Sequence, residues 1–407
     1  MALTIITDVL IVLASALLVG EIFEQLCLPC VVGEILGGMI IGPSVLGLVV
    51  SNDAIQAISS VALFFIIFSI GFELRTQMVR GKLINASLLT ITSFLAPLVL
   101  TALLALIFFP FGAQANFVIA LAISIPSISI ISVLCLQYNL LSTTSGQLIL
   151  SSVTISDVLA FVIFAGVVHP FESTLTLVIE IAIFIIGFVI VDWILNRKPE
   201  AFKQFLARTS SLFRREDFSY VLLIIVGLAL SVIFQIIGLS YILGAFFAGL
   251  ILHDGLIGRS AFNRISKTLS TMNNLFFIPI FFGFAGIEIV LQSIGFLSFA
   301  GLALIIVVAL GAGVSLTYYV SKNVLQSKMR IFPKQLAGIL SGRGAIGIAI
   351  ATIALEEGTI SGEGFSLVIL ATLAMSLVAP FLAGRMFRQR FPKKEQTMPA
   401  QVEAVLK

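Results

Sequence analysis

Apolar runs long enough to cross the hydrocarbon of a bilayer recur along the whole 407-residue chain. About thirteen runs of roughly 17–26 residues can be marked, centred near residues 15, 40, 64, 96, 126, 157, 185, 229, 246, 281, 308, 345 and 374. A chain that is 59% hydrophobic and 11% charged has no aqueous fold that hides so much apolar surface. The pattern predicts an all-α, polytopic membrane protein, because the runs lack the short alternating segments of a membrane barrel. The first run leads into the second without a small-residue cleavage site, so it reads as a span and not as a removable signal.

Basic residues set the orientation. With the N-terminus outside, the loops assigned to the cytoplasm carry Arg75, Arg80 and Lys82, the cluster Arg197, Lys198, Lys203, Arg208, Arg214 and Arg215, and then Arg259, Arg264 and Lys267. Lys322, Lys328, Arg330, Lys334 and the tail from Arg385 complete that side. All but one of the 23 Lys and Arg residues fall in these groups, while the opposite loops carry Asp53, Glu172, Glu356, Glu357 and Glu363. This bias predicts a cytoplasmic C-terminus, and it makes the net charge of +3 an orientation signal, not a nucleic-acid one. The remaining basic residue, Arg343, lies within a span.

Three cysteines build no disulfide framework, and Cys27–Leu28–Pro29–Cys30 falls in the turn between spans one and two, where Pro29 opens the next helix. The only histidines, His169 and His253, sit at span ends, so no resident metal site is expected. Glu21, Glu24 and Glu34 flank the same turn, where interfacial water is expected to solvate them. Glu73 and Glu288 read as span-end groups, and Glu180 as a polar position on the connecting span.

The two halves echo each other. Span two contains VVGEILGGMIIG and span nine ILGAFFAGLILH, so that Gly33 aligns with Gly244 and Gly38 with Gly249 at an offset of 211. Spans three and ten end in a shared Gly, apolar, Glu, apolar pattern at an offset of 215. Under the assigned topology each pair crosses in opposite directions, the mark of an inverted-repeat transporter. Spans five and twelve, at matching positions, are both interrupted: LAISIPSISIIS places Pro126 among Ser124, Ser127 and Ser129, and LSGRGAIGIA places Gly342, Arg343 and Gly344 in mid-span. Pro removes a backbone donor and Gly weakens a helix interior. Irregular backbone at membrane depth is tolerated only where protein or a water-filled cavity surrounds it, and its half-helix ends offer carbonyls to a cation.

Asp157 is the only charged residue of the run Gly146–Val168. It lies roughly 15 Å from either end of its span, near the midplane. A lone acid there costs about 2.5–3.5 kcal/mol, so something must offset it. Three roles compete: a structural pair with Arg343, a polar group facing a cavity, and a titrating carboxylate that binds a cation. In the third role a dry site favours the protonated acid and an alkali ion favours the carboxylate, so proton and cation displace each other. Ser124, Ser127 and Ser129, with Thr154 and Ser156 beside the acid, supply hard oxygen ligands.

These residues resemble the monovalent cation:proton antiporters, or sodium/hydrogen exchangers, in the branch that includes Kef-type potassium efflux proteins. The likeness covers essentially the whole chain and rests on LCLPCVVGEILGGMIIGPSVLG, LFFIPIFFGFAGIEI, LLSTTSGQLILSSVTISDVLAF and SGRGAIGIAIATIALEEGTIS. It implies thirteen helices, a homodimer, and a moving core in which two broken helices cross at Ser124–Ser129 and Ser341–Gly344. The family's ion-binding dipeptide corresponds to Ser156–Asp157. The implied division is a membrane exchanger domain over 1–395, with a dimerisation part at about 1–75 and 218–293, a core at about 82–168 and 295–390, a linker helix at about 174–196, and a cytoplasmic tail at 396–407.

The chain also departs from the family pattern. Ser156 stands where the dipeptide usually begins with Asp, Asn or Gln; Gly311 is followed by Ala312 and not by Lys; Ala345, not Glu, follows Gly344. With one buried acid and no buried lysine, electroneutral exchange of Na⁺ or K⁺ for H⁺ by alternating access is expected. Arg343, with Gly342, Gly344 and Pro126, is expected to brace or gate the crossing. Neither cofactor nor nucleic acid is expected, and the partners are the transported ions, membrane lipid and a second copy of the chain. The expected location is a prokaryotic plasma membrane. A gated cation channel would need a filter such as TVGYG. A membrane enzyme would need an acid pair, a Ser–His set or a metal set. A non-transporting regulatory relative stays open on the altered dipeptide.

Overall fold

A computed structural model of the chain describes residues 2–26, 28–77, 83–137, 140, 143–168, 218–236, 241–252, 259–290, 294–325 and 333–388. Cys27, His169, His253, Glu172, Glu180, the linker span, the basic stretch after it and the tail from 396 lie outside the described residues. The side chains of Glu73 and Ser129 do too.

The described residues form helices with no strand. They are α1 (Ala2–Gln25), α2 (Cys30–Ile41), α3 (Asp53–Gln77), α4 (Leu83–Thr90), α5 (Ala96–Phe108), α6 (Ala113–Ser124), α7 (Ile128–Gln137) and α8 (Thr144–Val168). The second half holds α9 (Phe218–Ile236), α10 (Tyr241–Ile251), α11 (Arg259–Met272), α12 (Ile278–Ile287), α13 (Phe296–Val320), α14 (Pro333–Ile339), α15 (Ala345–Glu356) and α16 (Gly362–Arg388). Among the described residues seven helical stretches are long and apolar enough to cross a membrane, with shorter apolar helices between them. Large apolar side chains stay exposed on α1 (Ile6, Leu10, Leu18), α5 (Leu103, Ile107), α9 (Ile225, Val232) and α13 (Phe296, Val307), as suits surfaces that meet hydrocarbon.

Among the described residues three π-helical turns interrupt the long helices: Ile91–Leu95 between α4 and α5, Asn273–Phe277 between α11 and α12, and Ser321–Leu325 after α13. The basic segment before span ten, read as a loop from its charges, is instead the amphipathic helix α11. It buries Phe262, Ile265 and Leu269 at helical spacing and leaves Arg264 and Lys267 exposed.

The offsets read from the glycines reappear as contacts. A Cβ on Gly33 would lie 2.5 Å from the Val19 carbonyl oxygen, and one on Gly244 would meet Ser231 and the Leu230 carbonyl at 2.5 and 3.0 Å. A Cβ on Gly38 would lie 1.9 Å from the Gly283 carbonyl oxygen, and one on Gly249 would lie 2.2 Å from that of Phe68. Gly286 meets Ile35 and Met39 as Gly71 meets Phe246 and Leu250. Adding 211 to first-half positions in α1 and α2, and 215 to those in α3, gives their second-half equivalents, so each contact has a counterpart with the two halves exchanged. Small residues at these points let backbones approach closely.

The repeat is inverted. A turn at residues 42–52 reverses the chain between α2 and α3. The C-terminal ends of α2 and α12 lie together, where Gly42 packs on Ile287 and the Ser44 hydroxyl donates to the Ile289 carbonyl. α12 therefore runs with α2 and against α3, its repeat mate. Stacked rings fill this part of the bundle, with Phe64, Phe68 and Phe72 in series and Phe72 against Phe262 at 4.3 Å. Phe161 of α8 meets Phe246 of α10 at 4.8 Å, linking the helix of Asp157 to α10.

Candidate functional site

Span five breaks where its sequence removes a donor. α6 ends at Ser124, and Ile125 turns extended at φ −71°, ψ 125°. Pro126 has no amide to return to the carbonyl of Ala122, four residues earlier. α7 starts again at Ile128. Span twelve breaks opposite it, between α14 and α15, across Leu340–Gly344. The two extended segments cross in an isolated antiparallel bridge between Pro126 and Arg343, and the Ser127 amide donates to the Gly342 carbonyl at 2.9 Å. Close approach explains the glycines. A Cβ on Gly344 would sit 2.7 Å from Ser127 Oγ, and one on Gly347 would sit 2.1 Å from the carbonyl oxygen that Pro126 leaves free on Ala122. The C-terminal ends of α6 and α14 and the N-terminal ends of α7 and α15 thus meet at one point, where partial charges of both signs converge.

Arg343 lies in this crossing and is 1% exposed. Its Nη2 donates to the Ser93 carbonyl at 2.9 Å, and its own carbonyl accepts from Ser376 Oγ at 2.6 Å. Nε and Nη1 have no hydrogen-bond partner. Gly313 of α13 leaves room for the guanidinium, since a Cβ there would stand 3.2 Å from Nη2.

Asp157 sits near the middle of α8 at 0% exposure, and neither carboxylate oxygen has a hydrogen-bond partner. It makes no bond to Arg343. α8 packs against α6, α7 and α15, so the acid shares the core with both broken helices and does not face lipid. Thr90 Oγ1 ties α4 to α8 by donating to the Ser152 carbonyl at 2.8 Å.

The predicted hydroxyl ligands divide. Ser127 is buried at the crossing with a free Oγ. Thr154 and Ser156 donate along α8 to the Leu150 and Ser152 carbonyls, each at 2.9 Å, which leaves their oxygen lone pairs as acceptors. Ser124 Oγ shares a hydrogen bond with Thr101 Oγ1 of α5 at 2.9 Å. Only the backbone of Ser129, in α7, is described.

Three further groups matter here, two of which escaped the sequence reading. Thr372 of α16 is buried at 2% exposure with a free hydroxyl, and lines a cleft of about 10 Å³ with Ser127, Gly344 and Ser376. Asp157 does not line this cleft. Glu34 corrects an expectation: Glu21 and Glu24 are exposed, but Glu34 is 4% exposed against Gly20 with an unpartnered Oε2. Packing of α2 on α1 and α12 carries it inward, away from the interfacial water expected to solvate it. Third, the Ser93 carbonyl takes the arginine, and Pro97 was the signal for it.

Chemically, the arrangement is a dry carboxyl group that no protein donor satisfies, set in a bundle interrupted by two half-helix pairs. Such a group is stable only when neutralised by a proton or a cation.

Comparison with known proteins bears on the family and the fold. Residues 10–389 match the family model of the sodium/hydrogen exchanger, transmembrane. The chain is 24% identical over 394 residues to the probable Na⁺/H⁺ antiporter GerT of Bacillus cereus, covering 93% of this chain and 98% of that one. It is 21% identical to the Na⁺/H⁺–K⁺ antiporter GerN of the same organism, over 97% of this chain and 98% of that one. The solved structure of the sodium proton antiporter MjNhaP1 from Methanocaldococcus jannaschii superimposes with a TM-score of 0.70 at 16% identity, covering 95% of this chain and 98% of that chain. At that identity the match speaks for the fold alone.

Proposed function

The chain belongs to the sodium/hydrogen exchanger family, and from that premise we propose that it exchanges a monovalent alkali cation, Na⁺ or K⁺, for H⁺ by alternating access, with Asp157 as the shared site. One observation carries the reading: Asp157 is wholly buried with both oxygens unpartnered, on a helix packed against both broken spans. A structural ion pair would have spent those oxygens on Arg343. Instead Arg343 gives Nη2 to the Ser93 carbonyl and makes no bond to Asp157, which leaves the acid to hold a proton or a cation.

Ser127 at the crossing, with Thr154 and Ser156 beside the acid, provides neutral oxygens for the cation once its hydration is shed. Ser124 and Ser129 lie on the same broken span. Arg343, Gly342, Gly344 and Pro126 fix the crossing, Arg343 acting as a brace and not as a ligand. With Asp157 as the one buried carboxyl on a helix packed against both broken spans, and no lysine near it among the described residues, each cycle carries one proton one way and one cation the other, so exchange is electroneutral. The dimerisation part is assigned to about 1–75 and 218–293, and the moving core to about 82–168 and 295–390, working as a homodimer. The bias of Lys and Arg toward one set of loops supports an outside N-terminus and a cytoplasmic C-terminus.

Proton-coupled flux in proteoliposomes tests the reading, with Na⁺, K⁺ and Li⁺ compared for wild type and Asp157→Asn. Cation-dependent collapse of a pH gradient, lost in the variant and insensitive to valinomycin, is expected. Undiminished exchange in the variant contradicts the site, and large non-saturating currents would favour a channel.

A further inference from the structure

Buried Ser and Thr residues in this bundle mostly return their hydroxyls to a carbonyl one turn back: Thr92 to Leu89, Thr154 to Leu150, Ser231 to Gly227 and Ser366 to Gly362. Thr372 does not, although it lies in mid-helix with the Val368 carbonyl one turn behind it. Neither do Ser127, at the start of α7, Ser93 or Ser321. Buried hydroxyls without partners are uncommon and ask for a reason. Of these four, Thr372 and Ser127 line one cleft, walled on the other side by Pro29 and Val32, between α2 and the crossing of the broken spans. Its volume of about 10 Å³ is close to the least that admits a single water molecule, and a bare alkali ion is of similar size. Ser376 adds a third oxygen. Its proton is spent on the Arg343 carbonyl, so its lone pairs remain for a cation.

We propose that Ser127, Thr372 and Ser376 form an uncharged station for one largely dehydrated alkali cation, on the path between the α1–α2 end of the bundle and Asp157. The proposal rests on the exchanger reading above and extends it to the last span, which that reading leaves without a role. The chemistry suits transit and not storage. Hydroxyl oxygens replace part of a hydration shell, yet without a formal charge they bind weakly enough to release the ion onward. The station adds no proton to the cycle, so it affects cation affinity and leaves the proton stoichiometry alone.

The test is cation-driven proton movement in proteoliposomes of the full chain, read as apparent KM for Na⁺ and K⁺ across a pH series. Thr372→Val keeps the shape and removes the oxygen, and we expect KM to rise roughly tenfold with no displacement of the pH profile. Thr372→Ser restores a hydroxyl and recovers the low KM. This rescue, with monodisperse elution of both variants, separates lost ligation from damaged folding, and Thr372→Ala gives a second deletion should the valine variant fold poorly. A wild-type KM in both the valine and alanine variants overturns the station and leaves the exchanger reading intact. An active Asp157→Asn control overturns the exchanger reading, and the station with it.

Discussion

Nη2 of Arg343 donates to the carbonyl of Ser93, a residue 250 positions away in the chain, at 2.9 Å. Two local facts make that bond. Pro97, near the start of α5, has no amide to return to the carbonyl four residues earlier, which is Ser93. The broken span puts the guanidinium beside it, within the π-turn where the Ala96 amide reaches back to Ile91. A proline in one repeat and an arginine in the other thus lock α5 to the crossing.

This coupling can be measured. Arg343→Ala orphans the Ser93 carbonyl and lowers stability by about 1–3 kcal/mol. Pro97→Ala returns an amide to that carbonyl. In thermal unfolding in detergent, the double variant Pro97→Ala/Arg343→Ala should therefore regain part of the loss, with a coupling of roughly 1 kcal/mol. Strictly additive effects would show that the two residues act independently.

The inverted repeat predicts paired effects of glycine substitution. Gly38→Ala and Gly249→Ala each push a Cβ into a carbonyl of the facing helix, Gly283 and Phe68, and each should destabilise by about 1–3 kcal/mol. Gly311 has nothing within 4 Å of its built Cβ. Gly311→Ala should be neutral, or stabilising by up to about 1 kcal/mol through helix propensity. Thermal stability of the three variants, side by side, decides whether equivalent positions carry equivalent loads.

A pH dependence follows from the rim. Glu357 follows α15 at an exposed position, and partial desolvation, then the neighbouring Glu356, raise its carboxyl from the ordinary 4.5 to about 7. The folded state then binds this proton more tightly than the unfolded chain does, so the contribution is full below pH 4.5 and lost as pH rises through about 7. Melting temperature should fall across that window in wild type and fall less in Glu357→Gln. An equal slope in both proteins would place the titrating group elsewhere.

Much of the fold was legible because two physical signals are strong in a membrane chain. Hydrocarbon thickness fixes span length, and close backbone approach demands glycine, so Gly33, Gly38, Gly71, Gly244, Gly249 and Gly286 marked the equivalent positions of the two repeats, which the structure shows as points of close helix packing. Pro126 and the Gly342–Gly344 pair announced the breaks for the same reason. What stayed hidden depends on rotation about a helix axis. Glu34 and Thr372 lie on spans whose apolar character runs all round, so periodicity does not say which side faces protein. α11 was hidden by its charges, which masked the spacing of Phe262, Ile265 and Leu269. The Arg343–Ser93 bond was readable in part, since Pro97 frees that carbonyl, but its recipient is set by tertiary packing.

The central claim is that one carboxyl group, Asp157, holds either a proton or an alkali cation. Counting protons on binding tests it most directly. Purified protein is titrated with Na⁺ and with K⁺ by calorimetry in buffers of differing ionisation enthalpy, giving protons released per cation bound. The account predicts a release approaching one proton per cation in wild type at a pH where the acid is protonated, and no release in Asp157→Asn. Cation binding without proton release in wild type, or unchanged release in the variant, would contradict it.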